Sequence, residues 1–139
     1  MKHKIGYNKL NRVAAHRKAL VRNMVTVLLK EEKIVTTKAK AIEARRAAEK
    51  LITRAKVDSV HNRRIASARL YGEDAVAKLF TDIGPRFKER NGGYTRILKL
   101  GDRANDAANL VVLELVDQKA DVKRAERDKR KAARKAKKQ

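Results

Sequence analysis

An α+β fold, with about four helices packed on a small sheet, is expected from three observations. Apolar residues recur at helical spacing in three stretches before residue 84. A short β-branched run, Ile34-Val35-Thr36-Thr37, falls between two of them. Two more strand-like runs, residues 94–100 and 110–116, follow the only proline, Pro85. Residues 84–116 organise the rest, holding four of the six glycines and joining a helix-ending signal to the clearest pair of strands.

Taken in order, residues 1–9 are expected to form an extended basic arm. A single domain over residues 10–117 and a charged tail over 118–139 follow. The first helix should be capped near Asn8 or Asn11. Its apolar stripe is Leu10, Val13, Leu20, Val21, Met24, Val25 and Leu28. Arg12, His16, Lys18, Arg22 and Asn23 lie mostly off that stripe, so one side faces a core and the other offers hydrogen-bond donors. After Glu31-Glu32-Lys33, the run 34–37 predicts a brief strand, and Thr36 or Thr37 can cap the next helix. That helix should span about residues 38–56, with Ala41, Ala44, Ala48, Leu51, Ile52 and Ala55 inward. Its other faces carry Lys38, Lys40, Arg45, Arg46, Lys50, Arg54 and Lys56.

Asp58 or Ser59 should open a third helix over residues 60–70, bearing Arg63, Arg64 and Arg69, and Tyr71-Gly72 should end it. Glu73-Asp74 suit a fourth first turn, where the helix dipole favours acids. Its stripe is Val76, Leu79, Phe80 and Ile83, with Gly84 as a left-handed cap and Pro85 as the stop. Asn91-Gly92-Gly93 predicts a flexible turn before the two antiparallel strands. Val111, Leu113 and Leu115 should share one face of the second strand, with Glu114 on the other, opposite Arg96. The tail has only Val122 as a strongly apolar residue, and from Lys129 onward seven Lys/Arg and no acid. It is expected to be disordered when free and to become helical against a polyanion.

Charge narrows the partners. Thirty-seven Lys+Arg against 16 Asp+Glu give +21, and repulsion on that scale calls for a counter-charge. Nucleic acid, an anionic membrane surface and an acidic protein qualify. No apolar run approaches the ~18 residues of a membrane span, so no membrane partner is expected. The opening Met-Lys-His-Lys-Ile-Gly-Tyr lacks an apolar stretch, so no secretory signal is expected either. The absence of cysteine excludes disulfides and thiolate zinc sites, and fits a cytoplasmic protein.

Catalytic motifs are missing. There is no phosphate-binding Gly-Lys-Ser/Thr loop, no dinucleotide fingerprint and no nucleophile elbow. His3, His16 and His61 lack the spacing of metal ligands, so neither metal nor cofactor is expected, nor a small-molecule substrate. His3 and His16 suit phosphate or base contacts instead. Basic excess recurs in the arm, in three helical regions, in the tail and around the hairpin at Arg86, Lys88, Arg90, Arg96, Lys99 and Arg103. Many weak phosphate contacts sum to strong, salt-sensitive binding. Tyr7, Phe87 and Tyr94 lie among these cations and could stack on unpaired bases. Phe87 suits the core better; Tyr94 suits either. A small body with basic extensions at both ends fits folded RNA. Duplex DNA would more often be met by a recognition helix, and none stands out.

Several strings point to one family. They are Met1-Lys2-His3-Lys4, Leu10-Asn11-Arg12, His16-Arg17-Lys18-Ala19 and Arg22-Asn23-Met24, then Ile34-Val35-Thr36-Thr37 with Lys40-Ala41. Further on come Leu51-Ile52-Thr53 with Ala55-Lys56, Asp58-Ser59-Val60 with Asn62-Arg63-Arg64, Lys78-Leu79-Phe80 and Gly84-Pro85-Arg86-Phe87. Gly92-Gly93-Tyr94-Thr95-Arg96-Ile97-Leu98-Lys99 is the most specific. Over roughly residues 1–117 the chain resembles the bacterial-type large-subunit ribosomal protein seventeen family. The resemblance implies an α+β fold with a small mixed sheet. It implies a structural, non-enzymatic role, binding large-subunit ribosomal RNA near the exit side of the peptide tunnel, beside neighbouring ribosomal proteins in the cytoplasmic ribosome.

By that analogy, together with charge, RNA contacts are expected from Lys2, His3 and Lys4 in the arm, and from Asn11, Arg12, His16, Arg17, Lys18, Arg22 and Asn23 in the first helix. Lys38, Lys40, Arg63 and Arg64 follow, then Arg86, Arg90, Tyr94, Arg96 and Lys99 about the hairpin. Three rivals stand beside this reading: a DNA-compacting protein, an RNA-modifying enzyme and a regulatory RNA binder off the ribosome.

Overall fold

The computed structural model describes residues 7–116. Expectations for Lys2, His3, Lys4 and the tail lie outside them. Four helices pack on a three-stranded sheet: α1 (Ala14–Glu31), β1 (Lys33–Thr37), α2 (Lys38–Ala55), α3 (Val60–Ser67), α4 (Glu73–Lys78), β2 (Thr95–Asp102) and β3 (Asn109–Leu115). The strand order is β1-β3-β2. Both pairings are antiparallel, so the sheet is not mixed as expected. The reason is connectivity: β1 leaves α1 and lies against the free edge of a β2–β3 hairpin that the chain closes on itself. Only a crossover would have given a parallel neighbour.

The core forms where α2 crosses the sheet. The small residues Ala41, Ala44, Ala48 and Ala55, with Leu51 and Ile52, are buried along one face of α2. Opposite them stand Val111, Leu113 and Leu115 of β3, with Ile34 and Ile97 from the flanking strands. Alanines let the helix lie close to the sheet, so an aliphatic core suffices with few aromatics.

Helix α1 departs from expectation at its start. Neither Asn8 nor Asn11 caps it; Val13 holds the N-cap position without a side-chain bond, and Val13 is 74% exposed. Leu10 and Asn11 adopt left-handed φ values of 56° and 50°, turning the chain before the helix begins. Asn8 is used elsewhere: its backbone N–H and its Nδ2 donate to Glu43 Oε1 at 3.0 and 2.8 Å. The buried residues of α1 begin only at Val25, so its first half reaches past the core.

Thr37 sits at the N-cap of α2 but makes no capping bond, whereas the hydroxyl of Ser59 accepts from the N–H of Asn62 at 3.2 Å, as expected for α3. That helix ends at Ser67, three residues early, and Leu70 enters the core from the loop beyond. The expected stop at Gly84-Pro85 is also corrected. Helix α4 runs on through a π-helical stretch (Leu79–Ile83) and a last turn (Gly84–Arg86), with Gly84 in right-handed helical geometry. Gly84 is required by proximity: a Cβ there would lie 2.4 Å from the carbonyl oxygen of Ala55.

Candidate nucleic-acid interface

The chain carries no acid before Glu31, but eight Lys/Arg. The projecting half of α1 turns that composition into a surface. Asn11, His16, Lys18 and Asn23 are exposed along it, and Arg12, Arg17 and Arg22 are half-buried. These three arginines bond to neutral groups. Arg12 donates to the carbonyl of Leu10 at 2.8 Å, Arg17 to that of Arg12 at 3.0 Å, and Arg22 to that of Leu70 through Nε and an NH2 nitrogen at 3.1 and 2.6 Å. A carbonyl fixes a guanidinium without cancelling its charge, so the positive field remains available to a partner.

Helices α1 and α2 both start without a side-chain cap and without an acid in the first turn. In α2 that turn instead carries Lys38, exposed, and Lys40, half-buried. Cations there oppose the helix dipole, and bare N–H groups suit an anion.

Elsewhere the expected contacts divide. Arg64 and Lys99 are exposed and make no ion pair among the described residues. Arg63 is exposed but committed to Asp58 through two bonds of 2.6 Å, with its guanidinium 5.1 Å from the Phe80 ring centre. That pairing holds the Asp58 carboxyl below its ordinary value. Arg90 is exposed, and its carbonyl accepts from Lys56 Nζ.

Two of the expected RNA contacts are buried in the fold instead. The Arg86 side chain is 13% exposed and bonds to Glu32 Oε2 at 3.0 Å. Lys78 reaches the other oxygen of Glu32 at 3.1 Å. Burial pushes the Glu32 carboxyl up, but hydrogen bonds from Arg86 and Lys78 outweigh it and hold the group below its ordinary value. Tyr94 is 2% exposed, edge-on to Phe87 at 5.4 Å, and so belongs to the core. Arg96 faces Glu114 across the strands and pairs with it, as the sequence pattern predicts.

The fold also joins residues that sequence spacing keeps apart. Tyr7, Arg17, Lys18 and Arg22 line one groove with Arg69 and Tyr71, from the loop after α3. Tyr71 was legible only as a helix-ending residue, because its partnership with Arg22 spans 49 positions. The signal available was an aromatic beside Gly72 and two residues after Arg69.

Among the described residues no group of three or more His, Cys, Asp or Glu is placed to hold a metal ion, and no helix is long and apolar enough to cross a membrane.

The fold and its cationic face define a small, strongly basic α+β protein. Comparison makes the class specific. The sequence model of the ribosomal protein L17 family matches residues 20–116, and the chain belongs to that family. It is similar to the large ribosomal subunit protein bL17 of Treponema denticola, 61% identical over 92% of this chain and 70% of that one. The same-named protein of Treponema pallidum strain Nichols is 60% identical over 92% and 80% of the two chains. That of Borrelia turicatae is 60% identical over 85% and 95%.

Proposed function

We propose that this protein is a structural constituent of the large ribosomal subunit that binds and stabilises its ribosomal RNA, near the exit side of the peptide tunnel, without catalysis. The observation that carries the reading is family membership at about 60% identity to proteins named for that subunit. The cationic first half of α1 supports it physically: phosphates of folded RNA would replace the counterions that a +21 chain otherwise gathers. The contact set consists of Lys2, His3 and Lys4 in the arm, Asn11, Arg12, His16, Arg17, Lys18, Arg22 and Asn23 about α1, and Lys38, Lys40, Arg64, Arg90 and Lys99 beyond it. Arg63 and Arg96 contribute only through charge their acid partners leave over.

The partners are large-subunit ribosomal RNA and neighbouring ribosomal proteins. Val35 and Leu98 are exposed on the outer face of the sheet, either side of Val112, and give a neighbouring protein an apolar strip to cover. The body over residues 10–117 carries the fold, and the arm (1–9) and tail (118–139) add charge.

Sedimentation of lysate through a sucrose gradient at high salt tests this. Co-migration with the large subunit at about one copy each is the expected result. Residence at the top of the gradient, or spreading with bulk DNA, would overturn it.

A further inference from the structure

The groove between α1, α2 and the loop after α3 is more than a charged surface. Its volume is about 750 Å³, within the roughly 300–1,000 Å³ of clefts that enclose a small ligand. Its lining joins the apolar Val21, Val25 and Leu51 to the cations Lys18 and Arg69, and its one acid, Glu43, is taken up by Asn8 and Arg46. A phosphate surface alone needs no apolar floor. A nucleobase does, because its faces are apolar while its backbone is anionic.

The rim also carries a prebuilt stacking platform. The Arg22 guanidinium lies 3.9 Å from the Tyr71 ring centre. Both members are pinned. Arg22 is held by the carbonyl of Leu70, and the backbone N–H of Tyr71 donates to Thr26 Oγ1 at 3.0 Å. Thr26 in turn donates to the carbonyl of Arg22 at 2.8 Å, which closes the circuit. Tyr71 nevertheless stays 41% exposed. Across the groove, Arg17 lies 4.6 Å from the ring centre of Tyr7, itself 47% exposed. Aromatic and guanidinium planes are the surfaces on which proteins stack unpaired RNA bases.

We infer that this groove receives one unpaired base of an RNA strand, stacked against the Tyr71–Arg22 pair, with the flanking phosphates on Lys18 and Arg69. The inference rests on the RNA-binding reading above and adds to it the form of RNA that is recognised: a bulged or looped nucleotide instead of a closed helix.

The test uses the full chain and two RNA hairpins, identical except for a single bulged adenosine, with binding followed by fluorescence anisotropy. The wild type should prefer the bulged hairpin by about tenfold, the scale of one base stacked on an aromatic ring. Tyr71→Ala should abolish that preference while leaving affinity for the closed hairpin and the salt slope unchanged, since no charge is removed. Tyr71→Phe should retain the preference, and Tyr71→Leu, which keeps bulk if truncation harms folding, should lose it. Equal wild-type affinity for the two hairpins overturns the proposal, as does an equal loss on both in the alanine and leucine variants. A preference that emerges only after deletion of residues 1–6 also overturns it, by making the arm the occupant. Binding to neither hairpin, with no co-sedimentation, sinks the RNA reading itself; co-sedimentation with equal affinities sinks the groove alone.

Discussion

Two regions of this molecule are rich in arginine, and they use it oppositely. Around the hairpin, Arg86 faces Glu32, Arg96 faces Glu114 and Arg103 faces Asp106 at 2.6 Å. Just before α1 and along its first half, Arg12, Arg17 and Arg22 face carbonyls and a tyrosine ring instead. The first set commits its charge to acids of the fold; the second does not. A count of Lys and Arg treats the two alike, so the division depends on where the acids fall in space.

The sharpest way to break this contrast is to remove the acid at the base of the hairpin region. Glu32→Gln keeps the shape but leaves Arg86 and Lys78 facing a neutral group. Two further nitrogens of Arg86 are already buried without a partner among the described residues. A loss of about 3 kcal/mol in denaturant unfolding is expected, typical of a buried pair that loses one member. The pH dependence has a definite sign. The folded-state pKa of Glu32 lies below the ordinary 4.5, so its stabilisation is present above 4.5 and lost as pH falls through the folded value. The gap between wild type and variant should therefore close in acid. A gap that stayed constant would mean that the carboxylate charge is not what stabilises this corner.

A smaller effect should appear in binding. Lys18, Arg64 and Arg69 are exposed and free of ion pairs among the described residues. Replacing all three with alanine should lower the slope of log affinity for ribosomal RNA against log salt by about two to three, at roughly 0.7–0.9 for each phosphate left unneutralised. The matched control, Arg96→Ala with Arg103→Ala, should leave that slope nearly unchanged. A control slope lowered by about one and a half, as two lost phosphate contacts would give, would erase the distinction between the regions.

Much of this was legible in the sequence. The inward alanines of α2 and the alternating Val111, Leu113 and Leu115 follow from periodicity, and the Arg96–Glu114 pair follows from strand register. The cap of α3 at Ser59 follows from local chemistry. What stayed hidden depends on separation along the chain. Gly84 resembles a helix stop, but its role is close approach to Ala55, 29 residues earlier. Glu32 resembles part of a polar break, but it meets Arg86, 54 residues later. The residues of the groove had the same problem: Arg17, Arg22 and Arg69 were visible as charge, while the ring that completes the platform was visible only as a loop residue.

Weaker still is the cross-strand pair. Arg96→Ala should cost under about 1 kcal/mol, the range for opposite charges on neighbouring strands, with β3 still paired to β1 on its other side. A larger loss would show that Arg96 fixes the register of the hairpin and does more than decorate it.

The smallest effect belongs to the hairpin loop. Arg103 holds Asp106 through two bonds of 2.8 and 2.6 Å, and the N–H of Ala108 adds a third at 3.3 Å. The Arg103 hydrogen bonds lead in lowering the Asp106 pKa from 3.8 to about 2. Both groups are exposed, so little stability is at stake, but the titration is a sensitive reporter. Its contribution is present above pH 3.8 and lost as the pH falls through about 2. Arg103→Ala should return the Asp106 carboxyl most of the way to 3.8 by NMR, the residual depression coming from Ala108. The same variant should bind RNA as the wild type does, because its guanidinium is already committed to Asp106. If Arg103→Ala weakens binding as much as Lys18→Ala, then an exposed ion pair opens readily to a phosphate, and charge alone, whatever its partner, would describe both regions.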